Sequence, residues 1–162
     1  VVGVHNGGIR RNGLCERGKV GLCSLVIALL SKKYEEASRK GVMVYFDLPD
    51  LRDMPMDQTD LVIVLSNLLN NAIEAAAQAD PPEIYVRMRK SEEEVVLSVR
   101  NRVKEELNLV DGQLPRISQK GAGHGFGLWN VQDVLKKYGG EYTISCRGCW
   151  FRFTCTIPLR KL

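Results

Sequence analysis

The chain has 162 residues, 44% hydrophobic and 26% charged, which suits one domain with a buried core and argues against wholesale disorder. No apolar stretch is long and uninterrupted enough to cross a bilayer, and no signal peptide is evident, as expected of a domain cut from a larger protein. The net charge of +4 sits entirely at the front: residues 1–40 hold eight Lys/Arg against three Asp/Glu, and residues 41–162 hold fifteen against sixteen. The near-neutral body lacks a basic stripe interleaved with aromatics, so no nucleic-acid partner is expected.

Residues 1–18 are rich in Gly, Asn and Arg without a period and read as an irregular lead-in. From Lys19 to Lys40 the apolar residues Val20, Cys23, Ile27, Leu30, Tyr34 and Ala37 recur at helical steps, and Gly41 stops the helix. Its charges Lys32, Lys33, Arg39 and Lys40 form a candidate face for a partner. Val42 to Phe46 is a strand. Asp57 is placed to cap a second helix running to about Ala79, with Asp60 in its first turn and Asp80-Pro81-Pro82 beyond its end. Ile84 to Arg89 and Val95 to Asn101 form a hairpin around an acidic turn. Residues 104–123 carry no strong period, and a link that long inside a compact domain is often functional. Gly127 to Tyr138 reads as a third helix, and Glu141 to Cys146 with Trp150 to Ile157 as a last hairpin. This order predicts an α/β (α+β) two-layer sandwich, with a mixed, mostly antiparallel sheet and helices on one face.

Five cysteines, Cys15, Cys23, Cys146, Cys149 and Cys155, are an odd number and point to a reducing compartment. Cys146 and Cys149 have redox or metal-ligand spacing but flank a hairpin turn. With no second pair and no neighbouring histidine, turn-flanking thiols are the simplest reading, with a disulfide as the alternative.

The second helix contains NLLNNAIEAA at 67–76. On a wheel, Leu61, Leu65, Leu68, Ala72 and Ala76 make an apolar arc, while Asn67, Asn71 and Glu74 form a stripe opposite, with Asp60 and Gln78 in line. Asn70 lies at its edge. A solvated helix face explains polar residues there but not the choice of asparagine, a weaker helix former than Glu, Lys or Gln. A side-chain amide offers an oxygen to a hard cation without adding charge against a polyphosphate. The stretch KGAGHGFG at 120–127 then supplies glycines through which backbone N–H groups approach an anion, just before a helix N-terminus. It has the spacing of neither a dinucleotide fingerprint nor a P-loop, and a glycine-rich hinge is the plain alternative.

Together these motifs resemble the ATP-binding catalytic domain of sensor histidine kinases, in the GHKL superfamily, closest to the quorum-sensing and peptide-pheromone receptor branch. The resemblance covers residues 19–162 and is carried by NLLNNAIEAA and by HGFGLWNV at 124–131. It implies the Bergerat (GHKL) ATP-binding fold, with ATP and Mg2+ between the asparagine helix and a mobile lid at 104–123. Asn71 matches the family's metal-binding asparagine, with Asn67 as a possible second ligand. Gly123, Gly125 and Gly127 match the glycine box. Lys120, His124 and Leu128 would lie near the nucleotide. The family's Asp-x-Gly-x-Gly box is replaced by VRNRV at 99–103, without glycines, so Asn101 takes the place of the adenine-binding aspartate.

Superfamily hydrolases carry a glutamate base one turn before the metal asparagine. Here that position is Asn67, which cannot take a proton from water, so phosphoryl transfer to a histidine is favoured over hydrolysis. The acceptor histidine is expected on a dimerisation helix outside this sequence. The implied partners are that phosphoacceptor domain of the same protein, a response regulator, and a second copy only in the full-length protein. The implied setting is the cytoplasmic side of a membrane-anchored receptor. A decayed nucleotide- or protein-binding module of the same fold, and a GHKL-type ATPase, are the alternatives.

Overall fold

The computed structural model describes residues 2–3, 21–51, 54–109 and 126–159. Its elements in chain order are β1 (Val2–Gly3), α1 (Gly21–Arg39), β2 (Met43–Leu48), α2 (Gln58–Ala76), β3 (Glu83–Lys90), β4 (Glu94–Arg102), α3 (Phe126–Lys137), β5 (Glu141–Arg147) and β6 (Trp150–Pro158). They build one sheet in the order β1-β2-β3-β4-β6-β5, in which only β2 and β3 run parallel. The mixed, mostly antiparallel sheet and the two-layer arrangement are as the sequence predicts. The short β1, paired to Leu48 and Asp47, falls in the stretch read as irregular. Two residues are too few to carry a period-two signal.

Strand alternation explains the layering. Val44 and Phe46, Ile84, Val86 and Met88, Val95, Leu97 and Val99, and Phe153, Cys155 and Ile157 are all buried and share one face. The helices cover that face. α2 lies at the centre of the helical layer, between α1 and α3, and buries Leu61, Val64, Leu65, Leu68, Leu69, Ala72, Ile73 and Ala76. Each of its leucine, valine and isoleucine side chains taken from water stabilises the fold by roughly 1.5–3 kcal/mol. The opposite face, with Tyr45, Tyr85, Arg100, Arg152 and Thr154, has no helix on it among the described residues.

Three local expectations are corrected. α2 stops at Ala76, short of Ala79; Ala77 keeps helical angles, but the backbone bonds of Gln78 and Ala79 are the three-residue kind of a fraying turn. Asp57 stands at the N-cap but makes no side-chain cap bond; its N–H donates to Tyr138 Oη instead. In α1 the buried stripe is Val26, Leu30, Lys33 and Ala37, one residue round from Ile27 and Tyr34. Lys33 is therefore 8% exposed rather than free on a basic outer face. Its ammonium donates to Glu36 at 2.8 Å and to Asn70 at 2.5 Å, tying α1 to α2.

Cys146 and Cys149 are free thiols, as turn-flanking residues are expected to be. Gly148 and Cys149 both have φ of 58°, the two left-handed positions of a tight hairpin turn.

Candidate functional site

Asp60, Asn67 and Asn71 of the α2 stripe form a seam against α3, while Gln78 at its far end is exposed. The two helices run antiparallel, as contacts at both ends show. At one end Asp60, in the first turn of α2, accepts hydrogen bonds from Lys137 Nζ at 2.6 Å and Tyr138 Oη at 2.5 Å. Those donors hold the Asp60 carboxyl below the usual carboxylate range, Lys137 contributing most. At the other end α3 begins beside Asn67 and Asn71. A Cβ on Gly127 would lie 3.0 Å from Asn67 Oδ1 and 3.6 Å from Asn71 Nδ2. Glycine thus lets the first turn of α3 approach both amides as closely as it does.

The amides are oriented locally. Asn67 Nδ2 donates to the Ile63 carbonyl at 2.8 Å, one turn back in its own helix. That bond turns Oδ1 toward Gly127. The N-terminal N–H groups of the twelve-residue α3 lie at the same place and carry the positive end of its dipole. Amide oxygens beside a helix N-terminus form a mixed set, with acceptors for a cation and donors for an anion. Among the described residues, no three His, Cys, Asp or Glu side chains gather as a metal site. Amide oxygens of this kind suit a hard cation that also takes phosphate oxygens as ligands.

Asn101 lies on the helix-covered face near the end of β4, between Ile84 and Phe151, and is 3% exposed. Its Nδ2 donates to the Arg102 carbonyl at 2.9 Å, which uses one of its two amide hydrogens and fixes the orientation of the side chain. The carbonyl oxygen is the group's acceptor.

Asn67, Asn71 and Gly127 are thus brought together, and Leu128 packs partly buried against the core beside them. Lys120, Gly123, His124 and Gly125 lie outside the described residues, as does the segment beyond Leu109 that the sequence reads as a lid. The Asp60–Lys137–Tyr138 cluster was not foreseen as a unit, because its members lie 77 and 78 residues apart. Lys33 did carry a signal. A lysine in line with Val26, Leu30 and Ala37 calls for a polar partner across the helix pair.

Residues 56–158 match the family described as the GHKL domain. The sensor histidine kinase DpiB of Escherichia coli (strain K12) is 29% identical over 148 residues, covering 84% of this chain and 27% of DpiB. The chain thus spans about a quarter of that relative's length. Among solved structures, the catalytic domain of histidine kinase ThkA superposes with a TM-score of 0.69 at 22% identity, covering 89% of this chain and 96% of that one. The histidine kinase AdeS of Acinetobacter baumannii gives 0.66 at 18% identity, covering 86% and 65%. These likenesses show a shared fold, and the family match spans well over half of the sequence. The chain belongs to the GHKL domain family.

Proposed function

We propose that this chain is the ATP-binding catalytic domain of a two-component sensor histidine kinase, comprising residues 19–162 with a lid at 104–123. The observation that carries the reading is the meeting of Asn67, Asn71 and the Gly127 backbone where α3 begins. Asn71, with Asn67 beside it, presents oxygen to Mg2+ and the phosphates. The N-terminus of α3 and the glycines at 123, 125 and 127 present N–H groups to the same phosphates. Lys120 adds a charge from the lid, and His124 a further donor. Asn101 accepts from the adenine amino group through Oδ1, and Leu128 lies along the nucleotide. Bound magnesium supplies neutralisation of the triphosphate. The residues of the chain orient the γ-phosphoryl group and exclude water from it.

Transfer goes to a histidine of the same protein outside this sequence, and from there to a response regulator. A neutral imidazole needs no base, which agrees with an amide at position 67. Dimerisation belongs to the full-length protein. No helix among the described residues is long and apolar enough to cross a membrane, so anchoring, with this domain on the cytoplasmic side, would lie elsewhere. Kinship with the peptide-pheromone branch rests on the asparagine motif, on HGFGLWNV at 124–131 and on Asn101.

Calorimetric titration of ATP, with and without magnesium, beside Asn71→Ala tests the proposal. Magnesium-dependent binding that the variant loses at least about tenfold is expected, the equivalent of one charge-assisted contact. Absence of wild-type binding at millimolar ATP would refute it.

A further inference from the structure

The sheet face on which no helix lies among the described residues has a composition of its own. Cross-strand register sets Tyr45, Tyr85, Arg100 and Arg152 in one row, and Arg102 beside Trp150 in the next. The rings of Tyr45 and Tyr85 stack at 4.7 Å. The Arg100 guanidinium lies 4.9 Å from the Tyr85 centroid and 4.2 Å from that of Trp150, and Arg102 lies 4.4 Å over Trp150. Arg100 and Arg152 stand directly opposite each other across β4 and β6.

Two features of this arrangement are unfavourable for an isolated sheet. Like charges directly opposite destabilise a strand pair. The Nε atoms of Arg100 and Arg102 are also buried without a hydrogen-bond acceptor. The acids on the same face do not relieve this. Asp47 is engaged with Arg87 and Arg89. Glu83, near Tyr45, makes no ion pair with the three arginines, nor does any other described carboxylate. Stacking holds the guanidinium planes of Arg100 and Arg102 in place, while among the described residues no carboxylate meets their charge and their Nε atoms have no acceptor.

We infer that this face is a docking surface for a carboxylate-rich segment of a partner protein. Guanidinium forks match carboxylates two bonds at a time, and those pre-oriented on aromatic rings lose little freedom in doing so. Neighbouring strands set the arginines about 5 Å apart, a spacing that successive acidic side chains of a polypeptide can follow. Single-stranded nucleic acid binds to such sheets through free ring faces. Here the faces of Tyr85 and Trp150 are already taken by Tyr45, Arg100 and Arg102. The near-neutral body of the chain also lacks the broad basic footprint of a nucleic-acid binder.

The test follows Trp150 fluorescence in a Trp129→Phe background, titrated with a twelve-residue oligoglutamate peptide. Saturable binding at low salt is expected, weakened about tenfold or more by R152Q and by R100Q/R152Q, and weakened again in about 0.5 M salt. Magnesium-ATP binding in both variants should match the parent. Because Arg152 is exposed and stacks on no ring, R152Q keeps the test valid if loss of Arg100 unfolds the edge. Unchanged oligoglutamate affinity in R152Q would overturn the inference. So would tighter binding of a twelve-nucleotide oligothymidine that the same variants abolish. A parent dimer in sedimentation that R152E dissociates would overturn it in favour of self-association.

Discussion

Gly127→Ala separates a structural from a functional role for the close approach of α3 to the asparagines. In a helix, alanine is favoured over glycine by about 0.5–1 kcal/mol, less near the first turn, so on propensity alone the variant is neutral or slightly stabilised. The added Cβ meets Asn67 Oδ1 at 3.0 Å, inside ordinary van der Waals distance by a few tenths of an ångström. Either Asn67 rotates and loses its bond to the Ile63 carbonyl, or the start of α3 lifts away. Both displace the atoms offered to a nucleotide by enough to lose about one good contact, some 1–2 kcal/mol, or a five- to thirtyfold fall in affinity. The expected signature is a melting temperature within about 3 °C of the parent together with clearly weaker magnesium-ATP binding by calorimetry. In N67A/G127A the clash is removed, so the glycine substitution should cost less than it does beside Asn67. Parental ATP affinity in G127A would refute the placement of the site at this seam.

The far end of the seam predicts a pH-dependent contribution to stability. Because Lys137 and Tyr138 depress the Asp60 pKa, its contribution is complete above the unfolded carboxyl value near 4 and is lost as pH falls through the lower folded value. D60N should destabilise by about 1–2 kcal/mol at pH 7, discounted because Lys137 is more than half exposed. In denaturant titrations the gap between parent and variant should hold from pH 8 to 5 and narrow below pH 4; a gap that widens there contradicts the ion-pair assignment. The thiols should differ in reactivity. Burial pushes Cys155 up to about 12, whereas Cys146 and Cys149 are partly exposed, so site-mapped alkylation of the native protein should modify those two and leave Cys155 for the unfolded state. Equal labelling of Cys155 under native conditions would show that the core under β4 and β6 opens readily.

Periodicity made the layers legible. The alternation of Val95, Leu97 and Val99 and the apolar arc of α2 each dictate a buried face, and burying both leaves little choice but a helix-covered sheet. The asparagines were legible as an anomaly, since a solvated face has no reason to favour weak helix formers. What periodicity could not give was the partner of that stripe. Asn67 and Gly127 are 60 positions apart, and the antiparallel docking of α3, with Val131 and Leu135 in the core and Asp60 bonded to Lys137 and Tyr138, brings them together. The basic patch was hidden for the same reason. Arg100, Arg102, Trp150 and Arg152 look unremarkable along the chain, because what unites them is cross-strand register.

The C-terminal end of β4 joins the two surfaces. Period-two alternation points Asn101 into the helix-covered layer and Arg100 and Arg102 out to the open face. Asn101 is oriented by the Arg102 carbonyl, so its amide and the Arg102 guanidinium share one stretch of backbone. If nucleotide binds at Asn101 as proposed, a segment that draws Arg102 off Trp150 would act on the peptide unit that positions it, and the nucleotide would act on Arg102 in return. In the family's usual pattern an aspartate and glycines occupy this strand end. VRNRV sets an arginine on either side of the asparagine there instead, so three consecutive residues serve both faces.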